Sequence, residues 1–286
     1  AIVGDQSGFG ITEEKITSFD LNYVYRSPIV KARLTGYFTK MQDANEVSFY
    51  YADGISGIDS GTAFVQEVLE GIDKRHLGIE FGIEAQVIPT IKLTGVASVG
   101  QYTYDNNPNL LLSSSDFTDG LDFGEANLKD YKIAGGPQRA FSLGFEYRDP
   151  NYWWFGTTAN FMSNAYVDVS PLTRTENFYL DTDGLPFPDY DPALAKELLR
   201  QEKFDSYMVW NAVGGKSWKV GDKYISLFVS LNNILNTQFK TGGFEQGRNA
   251  NYQSLKEDVN APKRRFGPKY WFGRGTTYFM NLNLRF

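Results

Sequence analysis

Three side chains able to move protons or hold a ligand repeat at intervals of four, His76, Glu80 and Glu84. On an extended chain, residues two or four apart share a face, so all three point the same way. A histidine beside carboxylates is the raw material of hydrolysis, but no serine stands at a matching spacing to serve as nucleophile, and an enzyme is not expected. The chain contains no cysteine, which removes thiol nucleophiles and thiolate metal sites, and one histidine does not supply the clusters that zinc or copper needs. Asp181-Thr182-Asp183-Gly184 starts like a calcium loop yet lacks the later ligands and the bidentate glutamate. Gly215-Lys216-Ser217 ends like a phosphate-binding loop, but Trp210 stands where the first glycine is required. No metal and no cofactor is expected.

The elements that carry these residues follow from composition and period. Acidic residues number 34 against 28 basic in 286 residues, a net charge of −6 that argues against a nucleic-acid partner. Aromatic residues make up 16% of the chain, although its mean hydropathy is only −0.37. The two agree if apolar side chains fall at every second position, so that one face is greasy and no window is. No run approaches the roughly 18 to 20 apolar residues of a membrane helix. Residues 1 to 10 lack a basic start and an apolar core, so no signal peptide is read there.

Nine segments alternate in this way: Lys15–Arg26, Ile29–Met41, Arg75–Val87, Thr90–Tyr104, Arg139–Arg148, Tyr152–Val167, Asp205–Val220, Asp222–Asn236 and Thr276–Phe286. In the third, Leu77, Ile79, Phe81, Ile83, Ala85 and Val87 oppose His76, Gly78, Glu80, Gly82, Glu84 and Gln86. Strands this long match a tilted bilayer crossing better than an ordinary sheet. A soluble sandwich also alternates, but here the polar face carries charge and glycine, as a wet lumen does, and aromatics cluster at strand ends around Tyr147, Tyr152, Trp153, Trp154 and Phe155. The expected fold class is therefore all-β, a transmembrane antiparallel β-barrel.

Connections alternate short and long. Tight turns fall at Ser27-Pro28, Pro89, Asp149-Pro150 and Gly221, whereas Gln42–Gly61, Asp105–Gln138, Asp168–Phe204 and Thr237–Gly275 are long. Short turns belong to the periplasmic side of such barrels and long loops to the outside. Nine strands ending in the periplasm begin outside, so residues 1 to 14 read as the tail of an outer loop and residues 15 to 286 as the C-terminal part of one barrel domain. Asp191-Pro192-Ala193 opens a short helix running to about Lys203 in an outer loop.

On this scaffold His76, Glu80 and Glu84 face the lumen, with Arg33, Lys31 and Lys92 on neighbouring strands. A solvated wall of paired charges is the favoured reading, and a polar track touching a ligand is the other. The segment Thr237 to Arg274 carries eight basic residues against three acidic ones, including Arg248, Arg264 and Arg265, with Tyr270 and Trp271 among them. Asp105 to Gln138 carries six acidic residues against Lys129 and Lys132. The basic loop suits an anionic ligand or the phosphates of outer-membrane lipopolysaccharide. Its aromatics suit stacking on sugar rings or holding the loop together.

Several stretches then resemble a known family. Ile11-Thr12-Glu13-Glu14-Lys15-Ile16-Thr17-Ser18-Phe19-Asp20-Leu21-Asn22-Tyr23 is similar to the entry of a late barrel strand in TonB-dependent outer-membrane transporters. So are Ala32-Arg33-Leu34-Thr35-Gly36-Tyr37-Phe38 and Ser230-Leu231-Asn232-Asn233-Ile234-Leu235-Asn236. The stretch Gly267 to Phe279 resembles the Bacteroidetes form, in which some relatives are SusC-like and carry a SusD-like surface lipoprotein as a lid. The resemblance implies that these are about nine C-terminal strands of a 22-stranded barrel. It implies also an N-terminal plug and a TonB box, both absent from this stretch, and import of a scarce nutrient such as a siderophore, oligosaccharide or peptide, driven through the TonB complex. A passive porin or a complete small outer-membrane barrel is the alternative, ahead of a barrel enzyme or a soluble carbohydrate-binding β protein.

The final segment places Tyr278, Leu282, Leu284 and the terminal Phe286 on the lipid face, which resembles the signal read by the barrel-assembly machinery. Deleting Phe286 is expected to lower the amount of protein assembled in the outer membrane. Quantitative blotting of membrane fractions checks this, and normal insertion of the deletion refutes it.

Overall fold

The computed structural model describes residues 13–58, 61–115 and 120–285. Nine of its strands hydrogen-bond in one antiparallel path: β1 (Lys15–Arg26), β2 (Val30–Asp53), β3 (Thr62–Ile88), β4 (Ile91–Tyr104), β7 (Arg139–Arg148), β8 (Trp153–Ser163), β9 (Tyr207–Val220), β10 (Lys223–Asn232) and β13 (Thr277–Arg285). These are the nine segments expected from alternation. Between them, β5 (Asn109–Ser114) and β6 (Leu121–Glu125) extend the sheet beside β3, while β11 (Lys240–Phe244) and β12 (Lys269–Phe272) form a separate ribbon. The sheet does not close on itself among the described residues: β1 and β13 are its two edges.

Alternation is realised with the greasy face outward. Phe19, Leu21, Leu143 and Met280 are 66%, 69%, 71% and 67% exposed, values that a water-soluble sheet does not tolerate over a whole face but a bilayer requires. Tyr278, Leu282 and Leu284 lie on that face too, and Phe286 falls outside the described residues.

The opposite face is polar, and register lines its charges into a row. Lys31 stands 3.5 Å from Glu84, Lys92 bridges Glu84 at 3.9 Å and Glu146 at 3.6 Å, and Arg148 closes the row on Glu146 at 2.6 Å. Higher up, the Tyr37 and Tyr102 hydroxyls meet at 2.6 Å across the β3 backbone. Glycine makes this possible, because a Cβ on Gly78 would stand 2.5 Å from the Tyr37 hydroxyl and 2.7 Å from the Val99 carbonyl.

The tight turns use the chemistry expected of them. Ser27 accepts from the Val30 amide at 2.9 Å, Asp149 accepts from the Asn151 amide at 2.8 Å, and Gly221 takes a positive φ of 64°. The long connections differ more from expectation. Gln42–Gly61 is mostly strand, because β2 and β3 run on together to Asp53 and Thr62 as a two-stranded arm. Two bulges carry the pairing past the bilayer, one between Met41 and Ala44 on β2, the other between Leu69 and Ile72 on β3, with Asp43 at φ 59° and Gly71 at φ 70°. Each strand gains one residue, so both switch parity together and the arm keeps a single inward face: Tyr50, Ala63, Val65, Glu67 and Leu69 point in, while Phe49, Tyr51 and Phe64 point out. The helix α1 (Pro192–Leu198) begins on the Asp191 cap as expected, the Asp191 carboxylate accepting from the Ala193 amide, but stops short of Lys203. A second helix, α2 (Tyr252–Asn260), capped by Asn251, was not signalled by period.

The largest buried hydrophobic cluster lies in these outer segments and not across the sheet: Val65, Leu69, Ile72, Leu110, Leu112, Leu128 and Leu172 are all at most 2% exposed. A Gly78→Val substitution is expected to break the Tyr37–Tyr102 bond and lower stability by roughly 1–3 kcal/mol through overpacking. A shift of heat-modifiable migration to lower temperature checks this.

Candidate functional site

Two surfaces carry the residues singled out above, the lumen wall and the cap of outer loops. On the wall, Arg33 donates to the Asn22 side-chain Oδ1 at 3.0 and 2.6 Å and to the Thr35 hydroxyl at 3.1 Å. Glu84 belongs to the charge row, and His76 rests its ring against Tyr102 with centroids 4.7 Å apart. His76 Nε2 is buried and has no hydrogen-bond partner among the described residues. His76, Glu80 and Glu84 thus share one face, as their spacing requires, but their contacts run to neighbouring strands and not to one another.

The cap is organised by one buried cation. Arg174, 3% exposed, sits on a short 3-10 turn (Pro171–Arg174) and pairs both guanidinium amines with the two oxygens of Glu245. It also donates to the carbonyls of Ser170 at 3.4 Å and Leu199 at 2.9 Å, and lies over the Tyr131 ring at 5.1 Å. One side chain thereby joins three connections far apart in sequence. Asn177 does the same on the far side, accepting from the Ser56 amide at 2.7 Å and donating to the carbonyls of Gly54 and Ala250 at 3.1 and 2.9 Å.

Most of the basic loop is held by internal partners. Arg248 donates to Asp53 at 2.8 Å and lies 4.6 Å above the Phe266 ring; Arg264 donates to Asp258 at 3.1 Å. Asp258 also accepts the Arg265 and Phe266 amides; burial opposes its charge, but these donations outweigh that and hold its pKa below the usual carboxylate value. Tyr270 donates to Glu202 at 2.5 Å beneath the Lys240 ammonium, 3.5 Å from its ring centroid. Trp271 turns the other way, 57% exposed and packed on Phe244 at 5.6 Å.

Arg248 and Trp271 meet at a cleft of about 510 Å³ between the β2–β3 arm and the loops at Asp168–Pro171 and Phe244–Arg248. Tyr270, Arg264 and Arg265 do not line it. Its other walls include Phe49, Tyr51, Glu67, Asp168 and Glu245. Period reading misses Glu67 and its neighbours because it takes Gln42–Gly61 as loop and starts the next strand only at Arg75; the alternation Val47, Phe49, Tyr51 is the available signal. Glu67 is 4% exposed, and burial, with Asp168 and Glu46 nearby, pushes its pKa up to about 7 against the Tyr50 hydrogen bond that lowers it. Asp168 is pushed to about 6 by desolvation and then by Glu46 and Glu245. No group of three or more candidate metal ligands occurs among the described residues.

An open-edged antiparallel sheet, apolar outside and polar inside, with periplasmic turns below and folded loops above, defines a segment of an outer-membrane β-barrel. The chain belongs to the TonB-dependent receptor-like β-barrel family, whose model matches residues 4–234. Solved structures share the fold: the copper transporter OprC (16% identity, TM-score 0.50, 97% of this chain and 32% of that one), the ferric citrate transporter FecA in unliganded form (12%, 0.54, 96% and 31%) and the siderophore receptor PiuA from Acinetobacter baumannii (11%, 0.53, 95% and 28%). The chain thus spans about a third of the length of each. No curated protein matches it by sequence.

Two predictions follow from the cap. Arg174→Met leaves Glu245 without its partner and is expected to cost about 3–5 kcal/mol in the cap alone. Limited proteolysis of intact membranes should then cut the outer loops while the heat-resistant sheet survives. The raised carboxylates act with opposite sign to an ordinary ion pair: the native state prefers them protonated, so their contribution is full below the unfolded carboxylate range and is lost as pH rises through about 6 to 7. Protease resistance of the cap is expected to fall between pH 5 and pH 8, and the fall should shrink in Glu67→Gln.

Proposed function

We propose that this chain is the C-terminal part of the barrel of an energised outer-membrane importer of a scarce nutrient such as a siderophore, oligosaccharide or peptide. The observation that carries the proposal is the pairing of a lipid-facing sheet with a cap that has its own hydrophobic core and a ligand-sized cleft. Unfolded outer loops would serve a passive pore as well. A built cap holds a defined recognition surface over the lumen. The edges of β1 and β13 support strands outside this chain, since unpaired backbone groups cost several kcal/mol each in hydrocarbon. In this reading a plug fills the lumen, contacting the row from Lys31 to Arg148, and the TonB complex supplies energy. The barrel-assembly machinery inserts the protein, lipopolysaccharide surrounds it, and a SusD-like lipoprotein is a candidate lid. Arg33, His76, Glu80 and Glu84 on the wall and Arg248 and Trp271 at the cleft remain the proposed ligand-facing residues, with Arg264, Arg265 and Tyr270 bracing the loop beside them.

Two measurements test this. The intact mass of the protein purified from outer membranes should be roughly three times that of this chain, in line with the structural neighbours. Growth on a panel of limiting nutrients should fail for the same nutrient when either this gene or TonB is removed. Uptake that survives loss of TonB would make the protein a passive pore.

A further inference from the structure

The cleft beneath the arm is acidic once its internal pairs are removed. Of its charged lining residues, Arg248 is neutralised by Asp53 and Glu245 by Arg174. That leaves Glu67 and Asp168, neither of which pairs with a cation among the described residues. Glu67 is almost wholly buried and lines the cleft; its Oε2 accepts from Tyr50 at 2.5 Å, and its second oxygen accepts no hydrogen bond among the described residues. Asp168 is exposed, in a cavity whose other lining residues include Ser48, Ser170, Gln246 and the aromatic pair Phe244 and Trp271. A buried carboxylate such as Glu67 is costly without a counter-charge, and aromatic faces attract cations. A positive group placed between Glu67 and the aromatic pair would meet both requirements.

We propose that this cleft binds an organic cation, its ammonium or guanidinium group held by Glu67 and Asp168 and its carbon chain laid on Trp271 and Phe244. The proposal rests on the transporter reading above and names the ligand chemistry of the loop face. It departs from the expectation drawn from the basic loop composition, because two of the three arginines that suggested an anion, Arg248 and Arg264, are spent on Asp53 and Asp258. Such a group comes from a polyamine or from a basic peptide side chain.

The test is isothermal calorimetry on the full-length protein purified from outer membranes, with spermidine, tri-lysine, citrate and maltotriose as probes at pH 8. Saturable binding of spermidine or tri-lysine, with none of citrate or maltotriose, is the expected result; the tighter of the two cations identifies the source. Asp168→Asn, on the surface, and Glu67→Gln, which keeps an acceptor for Tyr50, should each weaken binding about tenfold or more. Both should retain wild-type heat-modifiable migration. Affinity should also drop at pH 5. The groups facing the pair are Tyr50, Tyr104, Glu46, Glu245 and Lys74, and protonation of carboxylates is the change over that range that removes negative charge. Failure of both cations to bind, binding untouched by either variant, or competition by citrate or maltotriose overturns the proposal. TonB-dependent uptake with a cleft that ignores cations would sink this assignment alone, whereas cation binding with TonB-independent uptake would sink the transporter reading alone.

Discussion

Hydrocarbon offers a backbone no hydrogen bonds, and everything else in this molecule is arranged around that constraint. Each amide in the crossing region has to be satisfied by a neighbouring strand, which forces extended pairing over the height of the bilayer. Once the strands are extended, side chains alternate, and the two sides meet different solvents. Apolar residues go to the lipid, so the place where a soluble protein keeps its core is here a wet wall of glycines, hydroxyls and paired charges. The hydrophobic effect acts within water only above the membrane, and the chain has built its buried cluster there, around Ile72, Leu110 and Leu172.

That displacement explains why a charged residue organises the cap. The outer connections come from different hairpins and share no sheet of their own, so backbone ladders cannot register them against each other. A guanidinium with five donors reaches several chains at once, and Arg174 uses that geometry on Glu245, Ser170 and Leu199. Asn177 adds an uncharged version of the same device. The cost is a desolvated charge whose partner cannot be removed singly.

The crossing strands were legible in the sequence because two solvents write a period of two into every one of them, and the turns because Pro, Gly and Asp carry local rules. The cap was legible only where its determinants are local, as at Asp191 before Pro192. Its main contacts join residues such as Arg174 and Glu245, or Asn177 and Gly54, with no periodic relation between them. The site followed the same division. His76, Glu80 and Glu84 share a face because strand geometry dictates it. The basic loop looked like an anion site because composition counts charges without showing which are already paired. Glu67 was overlooked since the bulge at Gly71 separates it from the regular alternation that begins at Arg75.

Those two bulges also set how the arm is able to vary. Each adds one residue, and because they come one per strand the faces of both strands turn over together. A single insertion in β2 or β3 without its counterpart would rotate the outer half of one strand by half a turn, sending Glu67 and Val65 to water or Phe49 into the loops. Length changes in the arm are therefore admissible only in matched steps, one residue on each strand or two on one. The reach of the arm is free to drift among relatives by such steps while the identity of its inward face stays locked, a mechanical gauge whose scale divisions are two residues wide.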